Sequence, residues 1–255
     1  LPPLVHHEDG FNQDEADRLK WHRNLFRRVA LFRAQGLVVP SRRLEHIART
    51  AWHQPAAMVK RIANGIPVFA YGRKPKPDVL PRLIKHPGEL WLGTLAGLRP
   101  VKNLPRLVRV FAPLPEQWQL VILGEGPERD AIRAEAVRLG VGHRVHLPGH
   151  VAHPAQVLGL FDLFALSSDS EQFPISVVEA MATGLPVAAP RVGDVDAMVA
   201  GENRRFLTPS GDEAALAETL RTLAGDPELR ATIGAANRAR AASDIGTVIG
   251  FTAVF

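Results

Sequence analysis

The residues of this chain best suited to chemistry are two carboxylates, Glu171 and Glu179, eight positions apart within SSDSEQFPISVVEAMATGLPVAAP. Carboxylates accept hydrogen bonds from hydroxyls, so a pair of them flanking a helix start suits a polyol such as a ribose or a hexose. The free N–H groups of that helix start would face a phosphate. Two cations lie upstream, Arg99 and Lys102, in the loop GTLAGLRPVKN that follows an apolar run. A glycine-containing loop lets phosphates approach the backbone, and Lys adds a point charge. Each feature also has an ordinary reading: Glu179 as a solvated helix residue, Glu171 as a loop charge, Lys102 as a surface residue of a polar turn.

Two other clusters are weaker. His6-His7-Glu8-Asp9 follows an apolar Leu4-Val5, but neighbouring residues at a strand end point to opposite faces, which is poor chelate spacing. No metal site is expected there; one His at a cleft mouth fits better, with a loop His of no consequence as the alternative. Gly124-Glu125-Gly126-Pro127 imitates a dinucleotide fingerprint, yet Arg129 stands where a third Gly belongs. The next strand closes on Val145-His146-Leu147 with no acidic residue for a ribose, so a tight turn is expected and not NAD binding.

These residues need elements to hold them. Strands are expected at 89–93, 118–123, 143–147, 162–166, 185–189 and 204–207, and helices near 103–112, 127–139, 153–160, 174–183, 212–224 and 227–241. Short strands alternating with helical segments argue for an α/β fold with a doubly wound parallel sheet. In the central stretch, Pro174 suits a helix start and Gly184 its end. Upstream, Asp14 to Gln35 is expected as a helix with Trp21, Leu25, Val29 and Phe32 on one stripe, followed by a strand at Leu37-Val38-Val39. Ser41 is expected to cap a helix from Arg42 to Trp52, and Met58 to Ile62 to form another strand. Residues 72–88 are rich in Pro and basic side chains and look like a linker. The first unit has too few strands for a whole sheet, so its beginning is expected to be missing.

Composition bounds the partners. Of 255 residues 46% are hydrophobic and 22% charged, ordinary for a globular protein with a sizeable core. No leader is visible, so a fragment or a processed form is expected, and the apolar run from Ile245 to Phe255 is too short to span a bilayer unless the natural protein continues. The absence of Cys excludes disulfides, thiolate nucleophiles and Cys–zinc sites and fits a reducing compartment such as the cytoplasm. A net charge of +5 points to anionic partners. The helix at 18–33 carries Arg18, Lys20, Arg23, Arg27, Arg28 and Arg33 beside its apolar stripe, which is compatible with an anionic membrane surface, although one face on a core is the usual arrangement. Nucleic acid is disfavoured, because the basic residues lack interleaved aromatics.

In their order, GTLAGLRPVKN, LVILGEGPERDAI, VHLPGHV, LFALSSDSEQFPISVVEAMATGLPVAA and VGDVDAMV resemble the retaining, nucleotide-sugar-dependent glycosyltransferases of the two-domain GT-B fold, the group 1 or family-four type of bacterial polysaccharide synthesis. The resemblance covers Glu89 to Ala242, and the paired Glu pattern is its specific part; HHEDGF, VVPSRRLE and NGI also resemble the end of the family's N-terminal domain. It implies two Rossmann-like domains: residues 1–70 as the end of the acceptor-side domain, 71–88 as linker, 89–242 as the nucleotide-sugar domain and 243–255 as a tail. It also implies roles. Lys102 would neutralise the departing diphosphate, Glu171 would hold the hydroxyls of the transferred sugar, and Glu179 those of the ribose. Backbone N–H groups at Phe173, Ile175 and Ser176 would face the diphosphate, and Gly149 to Val151 would hold the base. His7, or His6 beside it, would lie across the cleft near the sugar. Partners would be a nucleotide sugar and a saccharide or lipid-linked acceptor, with no cofactor and no metal.

The chain departs from that pattern at several points. Gly97 stands where an Arg usually contacts the diphosphate; losing that contact would cost about 2–4 kcal/mol of transition-state stabilisation unless Arg99, two residues on, replaces it. Pro174 replaces a frequent Gly and removes one backbone donor. Asp194-Val195-Asp196 replaces the usual Gly and Glu, and NGIPVFAY lacks an Asp after NGI. A non-catalytic nucleotide-sugar-binding module is therefore the alternative to an active transferase, and a nucleotide-sugar epimerase a more distant one that the Glu pair argues against. This chain alone is expected to bind nucleotide weakly and to be inactive.

Overall fold

The computed structural model describes residues 4–9 and 19–245. Two parallel sheets organise them. The first has three strands in the order β1-β2-β3: β1 (Val5–His7), β2 (Gly36–Val39) and β3 (Val59–Arg61). The second has six, β4 (Leu90–Leu95), β5 (Trp118–Leu123), β6 (Val145–Gly149), β7 (Leu163–Ala165), β8 (Val187–Pro190) and β9 (Leu207–Thr208). Their order, β6-β5-β4-β7-β8-β9, reverses direction between β4 and β7. That is the doubly wound arrangement, with its switch point between the loops after β4 and β7. Those are the loops that carry Lys102 and Glu171.

The six-stranded sheet is buried on both faces. One face packs Trp91, Phe161, Phe164, Val178 and Met181; the other packs Phe111, Trp118, Leu120, Ile132 and Leu220. Helices α3 (Leu104–Phe111), α4 (Arg129–Arg138), α5 (Ile175–Thr183), α7 (Glu213–Gly225) and α8 (Pro227–Arg240) cover it. Caps define several of them. Asp212 accepts from Ala215 N, and Asp226 from Leu229 N with Pro227 at the first helical position. Strand and helix positions agree with those expected within a few residues, with three differences. Gly201–Phe206 forms a 3-10 helix over most of the strand expected at 204–207, which leaves Leu207–Thr208 as the strand. Residues 153–160 form two short 3-10 turns, Pro154–Gln156 and Leu158–Leu160, where a helix is expected. The backbone of the 72–88 segment packs against this region, and a Cβ on Gly159 would lie 2.6 Å from Pro75. A one-turn helix, α6 (Val195–Met198), forms where none is expected.

The smaller sheet holds helices α1 (Trp21–Ala30) and α2 (Arg42–Thr50). Ser41 caps α2, its hydroxyl accepting from Leu44 N at 3.0 Å. α1 starts later than expected, its last turn is a 3-10 helix at Leu31–Arg33, and residues 14–18 of the expected helix lie outside the described residues. The larger correction concerns orientation. The stripe expected on a core faces solvent: Trp21 is 76% exposed, Val29 67% and Phe32 86%, with Leu25 and Phe26 beside them. The inward face is polar. Asn24 accepts from the Trp52 indole at 3.0 Å, and the Arg27 guanidinium lies over the Trp52 ring, 5.2 Å from its centroid. The segment between the sheets is anchored: Leu80 is buried, and Lys85 Nζ donates to Leu160 O and pairs with Asp162, each at 2.6 Å. The closing stretch 246–255 lies outside the described residues.

Candidate active site

The switch point brings the separated candidates together. Ser167, just after β7, donates from Oγ to Lys102 O at 2.9 Å, and Asp169 N donates to Val101 O at 2.9 Å. These bonds dock the loop after β7 onto the loop after β4. Lys102 Nζ then meets Glu171 Oε1 at 2.6 Å, and Ser168 Oγ donates to the same oxygen at 2.7 Å. Glu171 is 9% exposed, so its carboxylate is held by a cation and a hydroxyl rather than by water. Residue type and spacing single out Lys102 and Glu171 but not Ser168, whose position three residues before Glu171 is a local signal for such a contact.

Helix α5 starts beside this pair with no side-chain cap. Pro174 is the residue before the helix rather than its first, and the first internal bond runs from Val177 N to Pro174 O at 3.0 Å. The N–H groups of Ile175 and Ser176 stand outside the helical ladder, as those of a first turn must. Ile175 is half-exposed at the mouth, while Phe173 and Val151 pack onto the core from the two loops flanking it. Pro190-Arg191-Val192 leads back under Glu171: Gly193 has φ +56°, and a Cβ there would crowd Glu171 O at 2.6 Å, a position only Gly fills cheaply.

Glu179 lies on the buried side of α5, 8% exposed among Val177, Val178, Ala180 and Met181. It is therefore not a solvated helix residue. Its Oε1 accepts from the Tyr71 hydroxyl at 2.7 Å. Burial raises the Glu179 carboxyl above the ordinary carboxylate range, and the Tyr71 hydrogen bond opposes that rise. Burial, together with the facing carboxylate, also raises the Tyr71 hydroxyl.

A Cβ on Gly97 would sit 3.3 Å from Arg99 Nε, so the guanidinium occupies the space above the glycine. Gly124 belongs to the same set of loops: with φ +144° a Cβ there would overlap Ala96 O, which explains the glycine as close loop packing, as the tight-turn reading expects. Gly149 ends β6, its carbonyl accepting from Gly124 N at 2.8 Å with Glu125 over its Cα. His7 is on the smaller sheet, where Nε2 lies 3.1 Å from Asp9, while His6 pairs with Glu8 at 3.4 Å. The two rings thus turn to different partners, as alternation demands. Among the described residues, no group of three or more His, Asp or Glu side chains is arranged to hold a metal ion.

The sheets meet beside the site. Arg42 N donates to Asp194 Oδ2 at 2.7 Å, Ser41 Oγ donates to Gln172 Oε1 at 3.4 Å, and Asp194 N donates to Gln172 O at 2.9 Å. Asp194, which departs from the family pattern, so completes the N-terminus of α2 from across the cleft. Two adjoining grooves of about 560 and 590 Å³ run along the open β6 edge past Arg82 and His146; neither reaches Lys102, Glu171 or Glu179.

With this geometry in view, residues 81–240, more than half of the chain, match the family model of glycosyl transferases group 1. The chain belongs to that family. Among curated relatives, it is 30% identical over 142 residues to N-acetyl-alpha-D-glucosaminyl L-malate synthase of Bacillus anthracis, covering 55% of this chain and 37% of the relative. It is 33% identical over 148 residues to the D-inositol 3-phosphate glycosyltransferase of Corynebacterium efficiens, covering 54% and 35%. The chain thus spans little more than a third of these relatives' length. Among solved structures, Anabaena Alr3699/HepE in complex with UDP superposes with a TM-score of 0.83 at 26% identity, over 96% of this chain and 68% of that one. Sucrose-phosphate synthase from Thermosynechococcus elongatus gives 0.80 at 25% identity, covering 95% and 63%. The fold is that of the GT-B glycosyltransferases. Among the described residues no helix is long and apolar enough to cross a membrane.

Proposed function

We propose that this chain carries the donor site of a retaining glycosyltransferase that moves a hexose from a nucleoside-diphosphate sugar to a saccharide or lipid-linked acceptor in bacterial polysaccharide or glycoconjugate synthesis. The observation that carries the proposal is the pairing of Lys102 with Glu171 at 2.6 Å at the uncapped start of α5, the helix that also carries the buried Glu179. HepE, 26% identical, has been solved with UDP-glucose, which supports a nucleotide sugar as the ligand of the same fold here.

In this reading the diphosphate lies against the Ile175 and Ser176 N–H groups, with Lys102 and Arg99 as its counter-charges. Glu171 takes the hydroxyls of the transferred sugar, Glu179 those of the ribose, and the backbone from Gly149 to Val151 receives the base. His7 approaches the sugar from the smaller sheet. The acceptor oxygen forms its bond to the anomeric carbon on the face from which the diphosphate departs, and the acceptor proton passes to the departing phosphate oxygen. Cations and helix N–H groups stabilise the charge that develops there, so no metal or cofactor is required. The guanidinium over Gly97 favours this reading over a binding module that has lost its chemistry. The site would work in the cytoplasm, and the outward stripe of α1, with exposed Arg28 and Arg33, supports peripheral contact with an anionic bilayer.

The test is turnover of nucleoside-diphosphate hexoses by the complete protein, followed by NMR of the anomeric proton of the product. Transfer with the donor's configuration supports the reading. Donor binding without transfer or hydrolysis in the presence of polysaccharide and lipid-linked acceptors would favour the non-catalytic module.

A further inference from the structure

The segment joining the two sheets supplies the hydrogen bond that Glu179 makes. Tyr71, the single tyrosine of the chain, sits in a short 3-10 turn, Val68–Gly72. Its ring is buried in the same cluster as Val177, Val178 and Met181, and its hydroxyl donates to Glu179 Oε1 at 2.7 Å. A carboxylate buried among apolar side chains is costly unless it is hydrogen-bonded or faced by a cation. Glu179 has no cation within ion-pair distance among the described residues, so the Tyr71 hydroxyl is what compensates it. That contact has a geometric consequence. With Oε1 held by one donor, rotation of the carboxylate is restricted, while Oε2 has no hydrogen-bond partner among the described residues. Two adjacent acceptors whose swing is limited in this way suit the two neighbouring hydroxyls of a ribose.

We infer that Tyr71 is a positioning residue for nucleotide recognition, holding the Glu179 carboxylate in the orientation that receives the 2′- and 3′-hydroxyls. The inference rests on the proposed reading of Glu179 as the ribose acceptor. It ties nucleotide capture to the chain segment between the sheets, because the group that orients the carboxylate belongs to that segment and not to the sheet that carries the site.

Tyr71→Phe removes the hydroxyl and keeps the ring. The experiment measures binding of UDP and GDP, and of the 2′,3′-dideoxy form of whichever binds, to the complete protein, Tyr71→Phe, Glu179→Gln and the double variant. In the unaltered protein the ribonucleotide binds more tightly than its dideoxy form. Tyr71→Phe weakens the ribonucleotide about tenfold, the size of one hydrogen bond to a charged group, and leaves the dideoxy form within about twofold. In the Glu179→Gln background, Tyr71→Phe adds nothing further. Equal loss for both ligands, or an undiminished loss in the Glu179→Gln background, would overturn the inference in favour of simple packing. So would ribonucleotide binding by a folded Tyr71→Phe protein that matches the unaltered one. Failure of the unaltered protein to distinguish ribonucleotide from dideoxynucleotide overturns the Glu179 reading and the inference with it, and is seen before any variant of Tyr71 is made.

Discussion

Helices α1 and α3 are both short, basic and amphipathic, and they meet opposite fates. α3 inserts Leu104, Leu107, Val108, Val110 and Phe111 into the core of the six-stranded sheet. α1 turns Trp21, Leu25, Phe26, Val29 and Phe32 to solvent and keeps Asn24 and Arg27 inward against Trp52. Periodicity defines a face; it does not supply the partner. Each helix joins a pair of hydrogen-bonded parallel strands, but α3 packs on a six-stranded sheet with α4 and α7 beside it, whereas the three-stranded sheet beside α1 holds a core of few large side chains around Leu37, Leu44 and Trp52. The two sheets differ in the same way: the six-stranded side is closed, with Glu171 and Glu179 held in place, and the three-stranded side presents an open apolar surface.

Substitutions test this contrast. The largest effect falls on the closed side. Phe164→Ala, in the fully buried middle of β7, lowers stability by about 3–5 kcal/mol in a denaturant titration. A loss below 1 kcal/mol would show that the six-stranded core is looser than described. Asp194→Ala removes the carboxylate that completes α2 from across the cleft and costs about 1 kcal/mol, read as earlier unfolding of the smaller sheet by hydrogen exchange.

Glu179 separates the sides by sign rather than size. Because burial raises its folded-state value, the folded chain holds this proton at pH values where the unfolded chain has released it. Its contribution to stability is present below the ordinary carboxylate range and is lost as pH rises through the raised value. Glu179→Gln, neutral throughout, therefore gains stability relative to the unaltered protein between pH 4 and pH 7.5, measured as melting midpoints, while nucleotide binding falls. A constant difference across that range would mean that the carboxylate is not desolvated. The smallest effect belongs to α1. Trp21→Ser changes stability by less than about 0.5 kcal/mol, because the ring touches little, yet it weakens sedimentation with phosphatidylglycerol vesicles. A loss of stability of several kcal/mol would mean that the stripe is buried after all.

Much of the six-stranded side is legible in the sequence, for physical reasons. Strands β5 and β7 are apolar runs bounded by turns, and glycines mark the loop contacts at Gly124 and Gly193, where no side chain fits. Glu171 and Lys102 were legible because a polar loop at the end of a buried strand limits what a charge can do. What could not be read is what depends on residues distant in sequence. The reach of Tyr71 to Glu179 spans 108 positions, and that of Asp194 to Arg42 spans 152. The turns at 153–160 read as a helix in the sequence, because the chain that packs on Gly159 comes from distant Pro75. The outward turn of the α1 stripe is not legible, because a periodic pattern says nothing of how much core lies beneath it.

Whether Lys102, Glu171 and Glu179 form one nucleotide-sugar site is decided by isothermal titration of the complete protein with UDP and GDP, repeated with Lys102→Ala and Glu179→Ala. One of the two nucleotides binds saturably, and each variant, folded, loses at least about tenfold in affinity. Binding that is absent in the unaltered protein, or equal in all three, would contradict such a site.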